Sequence, residues 1–182
     1  MTKPGEQPVL TDGTITLRPW HPDDAEAVYE ACQDPDIQRW TQVPHPYQRS
    51  DAAGFVAELA PAAWRDGTGV VFAVVDAADV LLGSVGLVGL NRAARTGEVG
   101  YWVAPQARRR AVASRATVLL SRWAGEAFEL DRIQLFTDPE NVASQAVAAR
   151  AGFRLDGDGE HTFRGERVRM LRDIRDVIVT AG

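Results

Sequence analysis

Four arginines stand within the eleven-residue stretch QARRRAVASRA. They are Arg108, Arg109, Arg110 and Arg115. An apolar pattern typical of a helix begins near Ala111, directly after the first three of them. The first N–H groups of a helix have no partner inside the helix and carry a partial positive charge, so together with guanidinium groups they suit a phosphate or pyrophosphate ligand. The alternative is a cluster of solvated surface arginines.

Other phosphate sites and metal sites are disfavoured by the sequence. No Gly-Lys-Ser/Thr ends a glycine-rich loop, and GSVGLVG lies in a strand pattern without the helix that a dinucleotide site requires. The single cysteine, Cys32, and the three histidines His21, His45 and His161 have no metal-ligand spacing. We therefore expect no metal site and Cys32 in the core. For His161, near the final hairpin, a surface position is expected, with a position in the lining of the site as the alternative.

The composition predicts a folded, soluble protein with one domain. The chain has 182 residues, of which 45% are hydrophobic and 25% charged, and its net charge is -5. This acidity disfavours a nucleic-acid surface, and the lack of a long apolar run disfavours a membrane protein or a secretory signal. We expect a flexible arm over residues 1–12, a single domain over residues 13–182 and a cytoplasmic location.

The hydrophobic pattern predicts a mixed α/β sheet. TITLRPW alternates as a half-buried strand does, and two helical regions follow, the second with a bend or restart at Pro61. Three antiparallel strands are expected over residues 69–104 and a helix over residues 111–128. The predicted apolar face of this helix consists of Val112, Ala116, Leu119, Leu120, Trp123 and Ala127. A strand, a short helix closed by Gly152 and two terminal strands complete the order β-α-α-β-β-β-α-β-α-β-β.

Several motifs in order resemble those of a known family. They are a Gly-Tyr-Trp-Val strand, the arginine-rich loop with its helix, an Asn-x-x-Ser helix start and an Ala-Gly-Phe segment. Each is weak alone, but the ordered set resembles the GNAT superfamily of N-acetyltransferases, and especially the RimJ/RimL type that includes ribosomal-protein N-terminal acetyltransferases. The likeness covers nearly the whole chain. It implies a GNAT fold, in which a mixed and mostly antiparallel twisted sheet is flanked by helices.

The resemblance implies acetyl-CoA as the co-substrate. The family's pyrophosphate loop, Arg/Gln-x-x-Gly-x-Gly/Ala, corresponds to residues 108–113, with Ala111 where a glycine is usual. If Ala111 adopts a positive φ, the alanine costs about 1 kcal/mol or more. The backbone of Val103 and the side chain of Asn141 are implied to contact the pantetheine arm. The full set of implied cofactor residues is Val103, Arg108, Arg109, Arg110, Ala111, Val112, Ala113 and Asn141.

Catalytic roles also follow from the resemblance. An amine attacks a thioester as the free base, so a proton acceptor is needed, and Glu98 is the implied base, commonly through water. The Val103 N–H is the implied donor to the tetrahedral oxygen, and Ser144 the implied donor to the departing thiolate. The residues alone leave alternatives open: Glu98 could pair with Arg95 on an exposed strand, and Ser144 could bond the backbone at a helix start.

The implied acceptor is a primary amine, which could belong to a protein N-terminus, a polyamine, an amino sugar or a small metabolite. Trp40, in the proline-rich connection after the first helix, is implied to border the acceptor site. Transfer of a longer acyl group is a rival within this class. A non-catalytic CoA-binding or regulatory module and a nucleic-acid-binding protein that uses the arginine cluster are rivals from other classes. The family also suggests a homodimer.

Overall fold

A computed structural model describes residues 5–177, so the first four residues of the predicted arm and the last five of the predicted domain lie outside the described part. In the described part, eight strands form one sheet in the order β1-β2-β3-β4-β5-β6-β8-β7. The strands are β1 Leu10–Thr11, β2 Thr16–Arg18, β3 Val70–Val75, β4 Leu81–Leu87, β5 Thr96–Val103, β6 Arg132–Thr137, β7 Arg154–Phe163 and β8 Glu166–Asp176. The helices are α1 Ala25–Ala31, α2 Pro35–Trp40, α3 Arg49–Gly54, α4 Ala60–Arg65, α5 Val112–Ala127 and α6 Val142–Arg150.

The pairing of the strands confirms the mixed α/β class. All neighbouring strands are antiparallel except β5 and β6, which are parallel and are connected through α5. The strands β3, β4 and β5 form consecutive hairpins, as expected, and β7 and β8 form another. A parallel pair needs a long crossover, which explains why the arginine-rich loop and α5 lie between β5 and β6. The chain direction therefore brings the start of α5 to the end of β5.

The segment predicted as a flexible arm contacts the domain from Gly5 onward. The Gln7 side-chain amide donates to the carbonyl of Val71 at 3.1 Å, and Leu10 pairs with Leu17 in the hairpin of β1 and β2. Proline and glycine in this segment predict mobility, but an open sheet edge offers it backbone partners that composition cannot reveal. The domain boundary at residue 13 stays a prediction.

A π-helical turn lies where Pro61 predicts a bend or restart. Phe55–Leu59 form this turn between α3 and α4, and the N–H of Ala60 donates to the carbonyl of Phe55. Proline lacks an N–H and its ring clashes with the carbonyl of the fourth residue before it. The wider turn relieves that clash, so the helix continues through Pro61.

Helices cover both faces of the sheet. Phe72 of β3 and Tyr101 of β5 pair with the same residue of β4 and share one face, where Trp123 of α5 packs on Phe72 with ring centroids 5.8 Å apart. Trp102 points to the opposite face and packs against Trp20 at 6.4 Å. Two layers of apolar side chains therefore hold the central strands in place.

The buried stripe of α5 follows most of the predicted face. Val112, Ala116 and Leu120 are buried as expected, and Ala124 extends the stripe. Ala127, which was predicted on the same face, is exposed because it is the last residue of the helix and lies beyond the turn that ends this stripe. No helix in residues 5–177 has the length and hydropathy needed to cross a membrane.

Candidate active site

β5 and β6 begin side by side and then separate. Thr96–Glu98 pair with residues 132–134 of β6, whereas residues 99–103 pair with β4 and have no register partner on β6 within the described sheet. The N–H of Ala104 donates to the carbonyl of Leu82 at 2.9 Å. This bond makes Val103 and its partner on β4 a pair that exchanges no hydrogen bonds, so the Val103 N–H points into the gap.

A cleft of about 980 Å³ passes through this gap. Ten of the eleven predicted site residues line it, and only Arg110, whose side chain is exposed, lies outside the lining. The ten are Trp40, Glu98, Val103, Arg108, Arg109, Ala111, Val112, Ala113, Asn141 and Ser144. The predicted positions, which span a hundred residues of sequence, thus converge on one cleft.

The loop before α5 has a strained backbone. Ala111 is the N-cap residue of α5 with φ 57° and ψ 18°, and Arg109 has φ 61°, so both occupy the left-handed region. In the described part of the chain, no backbone or side-chain acceptor binds the N–H groups of Val112 and Ala113. These N–H groups open into the cleft at the positive end of the helix dipole, where an anion is stabilised.

Two of the four arginines are already paired with carboxylates. Arg108 binds Asp34 with Nη2 and Oδ1 2.5 Å apart, and Arg115 binds Asp12 at 2.7 Å. Asp34 also accepts hydrogen bonds from two N–H groups at the start of α2. Burial alone would raise the pKa of Asp34, but the bonds from Arg108 and the backbone outweigh it and lower the pKa. In this structure Arg108 therefore fastens α2 to the loop, and its predicted contact with the cofactor stays a prediction.

A tyrosine that the sequence did not single out contacts Ser144. The hydroxyls of Tyr101 and Ser144 are 2.8 Å apart, and the Ser144 N–H donates to Asn141 Oδ1 at 3.0 Å. Burial raises the pKa of Tyr101 to about 12, so its hydroxyl stays protonated at neutral pH. Asn141 thus caps α6, while the Ser144 hydroxyl bonds a side chain rather than the backbone, contrary to the alternative that the sequence left open.

Glu98 lies on the other side of the gap and contacts His161. Glu98 Oε1 and His161 Nε2 are 2.9 Å apart, and the two side chains are 23% and 17% exposed. The alternative pairing of Glu98 with Arg95 is wrong, because Arg95 binds Asp131 through two hydrogen bonds of 2.8 and 2.9 Å. The expected surface position of His161 is also wrong. No local pattern could have revealed it, since 63 residues separate His161 from Glu98.

Trp40 lines the end of the cleft on the same side as Glu98. Its ring is half-buried, and the Arg39 guanidinium lies 4.1 Å from the ring centroid. Arg39 in turn binds Glu140 at 2.7 Å, which joins α2 to the loop before α6. The walls at this end are mostly apolar, formed by Val88, Phe136, Phe163, Val168 and Met170.

Cys32 is buried in the core, as predicted. Burial raises the pKa of its thiol to about 12, which keeps it a thiol and makes it a poor nucleophile. Among residues 5–177, no group of three or more His, Cys, Asp and Glu side chains is arranged to hold a metal ion.

The chain matches a known family model and several proteins. Residues 14–154 match the model described as "Acetyltransferase (GNAT) domain". YdaF of Bacillus subtilis (strain 168) is 32% identical over 77 residues, which are 42% of each of the two chains, so the matched region spans less than half of that relative.

Two solved structures share the fold. The microcin C7 self-immunity acetyltransferase MccE, solved with acetyl-CoA and AMP, has a TM-score of 0.80 at 20% identity and covers 92% of this chain and 98% of its own. Mycobacterium smegmatis RimJ, solved with CoA-disulfide, has a TM-score of 0.77 at 22% identity and covers 95% of this chain and 88% of its own.

The open sheet, the gap between the parallel strands and the helix that starts beside it define an acyltransferase architecture. The chain belongs to the GNAT acetyltransferases, a class that uses acetyl-CoA as the acyl donor.

Proposed function

We propose that the protein transfers the acetyl group of acetyl-CoA to a primary amine by direct attack, without a covalent enzyme intermediate. The observation that carries this proposal is the gap between β5 and β6, which joins the start of α5 on one face of the sheet to Glu98 on the other. The two reactants can then enter from opposite faces and meet at the Val103 N–H. The ligands of MccE and RimJ support acetyl-CoA as the donor.

The cofactor half lies between α5 and α6. The N–H groups of Val112 and Ala113 would bind the pyrophosphate, and Arg109, which lines the cleft, would add charge. The pantetheine arm would extend along the unpaired edge of β5, toward Val103. Asn141, at the start of α6, borders the same path.

The chemical step requires three groups: a proton acceptor for the amine, a hydrogen-bond donor for the tetrahedral oxygen and a proton donor for the thiolate. Glu98 would accept a proton from the amine, directly or through one water molecule, as the nitrogen attacks the thioester carbon. The Val103 N–H would stabilise the tetrahedral oxygen. As the carbon–sulfur bond breaks, Ser144 would donate a proton to the thiolate and accept one from Tyr101, whose hydroxyl is 2.8 Å away. Water would then return a proton to Tyr101 and take the one held by Glu98, which restores the site.

The acceptor is proposed as a primary amine on a protein N-terminus or a small molecule. The structural neighbour RimL, a ribosomal L7/L12 alpha-N-protein acetyltransferase, favours the first of these, while the AMP in the MccE structure favours the second. The apolar walls around Trp40 would bind the part of the acceptor beside the amine, since apolar contacts dominate most small-molecule sites.

The proposal is tested by thiol release from acetyl-CoA with a panel of α-amine peptides, polyamines and amino sugars. We expect turnover with at least one amine, and a fall in kcat on the order of 10²-fold in Glu98→Gln, because a general base contributes at least that much. Calorimetric titration with acetyl-CoA should give the same Kd for both proteins. Glu126→Gln, an exposed glutamate of α5, is the matched control and should keep full activity.

Three results would contradict the proposal. Absence of acetyl-CoA binding would remove every CoA-based function. Binding without turnover on any amine would favour a CoA-binding module. Full turnover in Glu98→Gln would remove the assigned role of that residue.

A further inference from the structure

The β7 wall of the cleft holds a histidine directly against the proposed base. His161 stacks on Phe136 of β6, with ring centroids 4.6 Å apart and an interplanar angle of 37°. This stacking fixes the plane of the imidazole ring and directs Nε2 at Glu98 Oε1, 2.9 Å away. Both side chains line the cleft. The contact therefore belongs to the acceptor side of the gap and not to the outer surface of the hairpin.

The direction of the hydrogen bond between His161 and Glu98 follows from the chemistry of the two groups. An ionised carboxylate can only accept hydrogen bonds, so the ring nitrogen that faces Glu98 must carry the hydrogen. The other ring nitrogen, Nδ1, is buried and has no hydrogen-bond partner in the described part of the chain. A second hydrogen on Nδ1 would be a buried donor without an acceptor, which is costly. The hydrogen on Nε2 is therefore the one that binds Glu98, and Nδ1 has no acceptor in the described part of the chain.

His161 is the sole hydrogen-bond partner of the Glu98 carboxylate among the described residues. The nearby arginines are occupied: Arg95 binds Asp131, and Arg39 binds Glu140. The charged residues of the hairpin beside His161 are also paired with each other. These pairs are Arg167 with Glu160 and Arg169 with Asp158. No arginine or lysine of the described residues forms an ion pair with Glu98.

Gly89 leaves room for the second carboxylate oxygen. A Cβ added at Gly89 would lie 2.9 Å from Glu98 Cβ and 3.2 Å from Glu98 Oε2. Any side chain there would push the carboxylate away from its position. Because Gly89 has no side chain, the Glu98 carboxylate fits between the loop after β4 and His161. Its Oε1 is bound to His161, and its Oε2 is unbound in the described part of the chain.

We propose that His161 is a positioning residue for the acceptor reaction, an inference that rests on the proposed acetyl transfer. The Nε2–H of His161 holds Oε1, which fixes the carboxylate so that Oε2 takes the amine proton. The nitrogen–carbon bond forms as that proton moves to Glu98, the carbon–sulfur bond breaks, and the thiolate takes a proton from Ser144, which Tyr101 replaces. His161 keeps its own hydrogen throughout. Without this bond, Glu98 has several rotamers, and the fraction aligned with the amine falls.

The kinetic test compares two variants of His161, of which only one can donate a hydrogen bond to Glu98. The amide of His161→Gln can donate to Glu98, whereas His161→Leu has similar bulk and no donor. With the panel amine that gives the fastest thiol release, we expect kcat to fall on the order of 10²-fold in His161→Leu and clearly less in His161→Gln. The Kd for acetyl-CoA should stay unchanged in both. His21→Leu, an exposed histidine outside the cleft lining, is the matched control.

A double substitution separates positioning from a general structural effect. If His161 acts through Glu98, adding His161→Leu to Glu98→Gln should lower kcat little further, because both substitutions remove the same function. A structural role would instead give losses that add. The ¹⁵N spectrum of the imidazole groups, measured on the protein without ligand, should show hydrogen on Nε2 and none on Nδ1 of His161.

The outcomes distinguish this inference from the function on which it rests. If wild type turns over and His161→Leu keeps its kcat, or loses as much as His161→Gln, the inference is overturned and the acetyl transfer stands. Hydrogen on Nδ1, or additive losses in the double variant, would also overturn it. If no amine releases thiol from wild type, the proposed function fails and the role of His161 fails with it.

Discussion

At the scale of single residues, the backbone of Ala111 is the most unusual feature of the site. Its φ of 57° lies in the left-handed region, which costs an alanine about 1 kcal/mol relative to glycine. Arg109, two residues earlier, has φ 61° and carries the same type of strain. Strain of this kind persists only where the surrounding structure enforces it, and it is common at ligand sites. Here it turns the chain so that α5 begins beside Val103.

The strain at Ala111 predicts that glycine stabilises the protein at this position. Ala111→Gly is expected to raise the free energy of unfolding by about 0.5–1 kcal/mol, since relief of strain exceeds the added freedom of the unfolded chain. Ala149→Gly, on the exposed face of α6, should lower it by about 1 kcal/mol. Urea unfolding of the three proteins measures both. A loss of stability in Ala111→Gly would show that the left-handed conformation is not adopted in solution.

At the scale of secondary-structure elements, β5 presents different chemistry on its two faces. Tyr101 points toward α6 and contacts Ser144, whereas Glu98 points to the opposite face and contacts His161. The alternation of side chains along a strand separates a proton donor from a proton acceptor by the thickness of the sheet. Because β6 diverges after Gln134, the two faces communicate through the gap. One strand can therefore serve both reactants.

The Tyr101–Ser144 contact predicts unequal effects of two substitutions. Ser144→Ala should lower kcat on the order of 10²-fold because it removes the proposed proton donor to the sulfur. Tyr101→Phe should lower kcat less, because the Ser144 hydroxyl remains and can bind water. The pKa of Tyr101, raised to about 12 by burial, also predicts that this pair does not titrate between pH 6 and 10. Steady-state kinetics over this pH range test the order of the two effects. A larger loss of kcat in Tyr101→Phe than in Ser144→Ala would contradict the assignment of Ser144 as the direct proton donor to the sulfur.

At the scale of the whole molecule, ion pairs join segments that are distant in the chain. Arg18 of β2 is almost fully buried and binds both Asp24, before α1, and Asp79, in the turn after β3. Arg108 joins the loop before α5 to Asp34 at the start of α2. Arg18 thus connects β2 to the start of α1 and to the turn after β3, and Arg108 connects α2 to the loop before α5. In these pairs the charge of each arginine compensates the negative charge of a carboxylate near the contacts between helices and strands.

The buried Arg18–Asp24 pair predicts a pH-dependent contribution to stability. Burial alone would raise the pKa of Asp24, but bonds from Arg18 and the His21 backbone outweigh it, so the pKa lies below the ordinary 3.8. The stabilisation is therefore complete above pH 3.8 and is lost as the pH falls through the lower, folded-state pKa.

Unfolding of Asp24→Asn measures this contribution. At pH 7 the variant should be less stable by about 3 kcal/mol, because Arg18 loses its buried partner. The difference from wild type should shrink as the pH falls below the ordinary pKa of Asp24. Asp131→Asn, which breaks an exposed pair with Arg95, is the control and should change stability far less. A difference that persists unchanged at low pH would exclude the charged pair as its cause.

Local sequence patterns predicted the elements that are proposed to bind the cofactor. The arginine-rich loop, the start of α5 and the Asn141 cap lie next to the strands and helices that hold them, so spacing alone indicates their positions. The three hairpin strands were predicted from alternation and turn residues for the same reason. The π-helical turn before Pro61 was not, because it depends on how one helix packs on the sheet.

The amino-acid sequence by itself determined that a helix with unpaired N–H groups follows a strand and a cluster of arginines. Only the tertiary structure decided which arginines are free to bind a ligand and which side chain holds Glu98. Asp34 occupies Arg108 across 74 residues, and His161 reaches Glu98 across 63. The backbone hydrogen bonds and side-chain periodicity of a helix act over about four residues. Contacts such as these two depend instead on the order of strands in the sheet, which places β7 and β8 beyond β6.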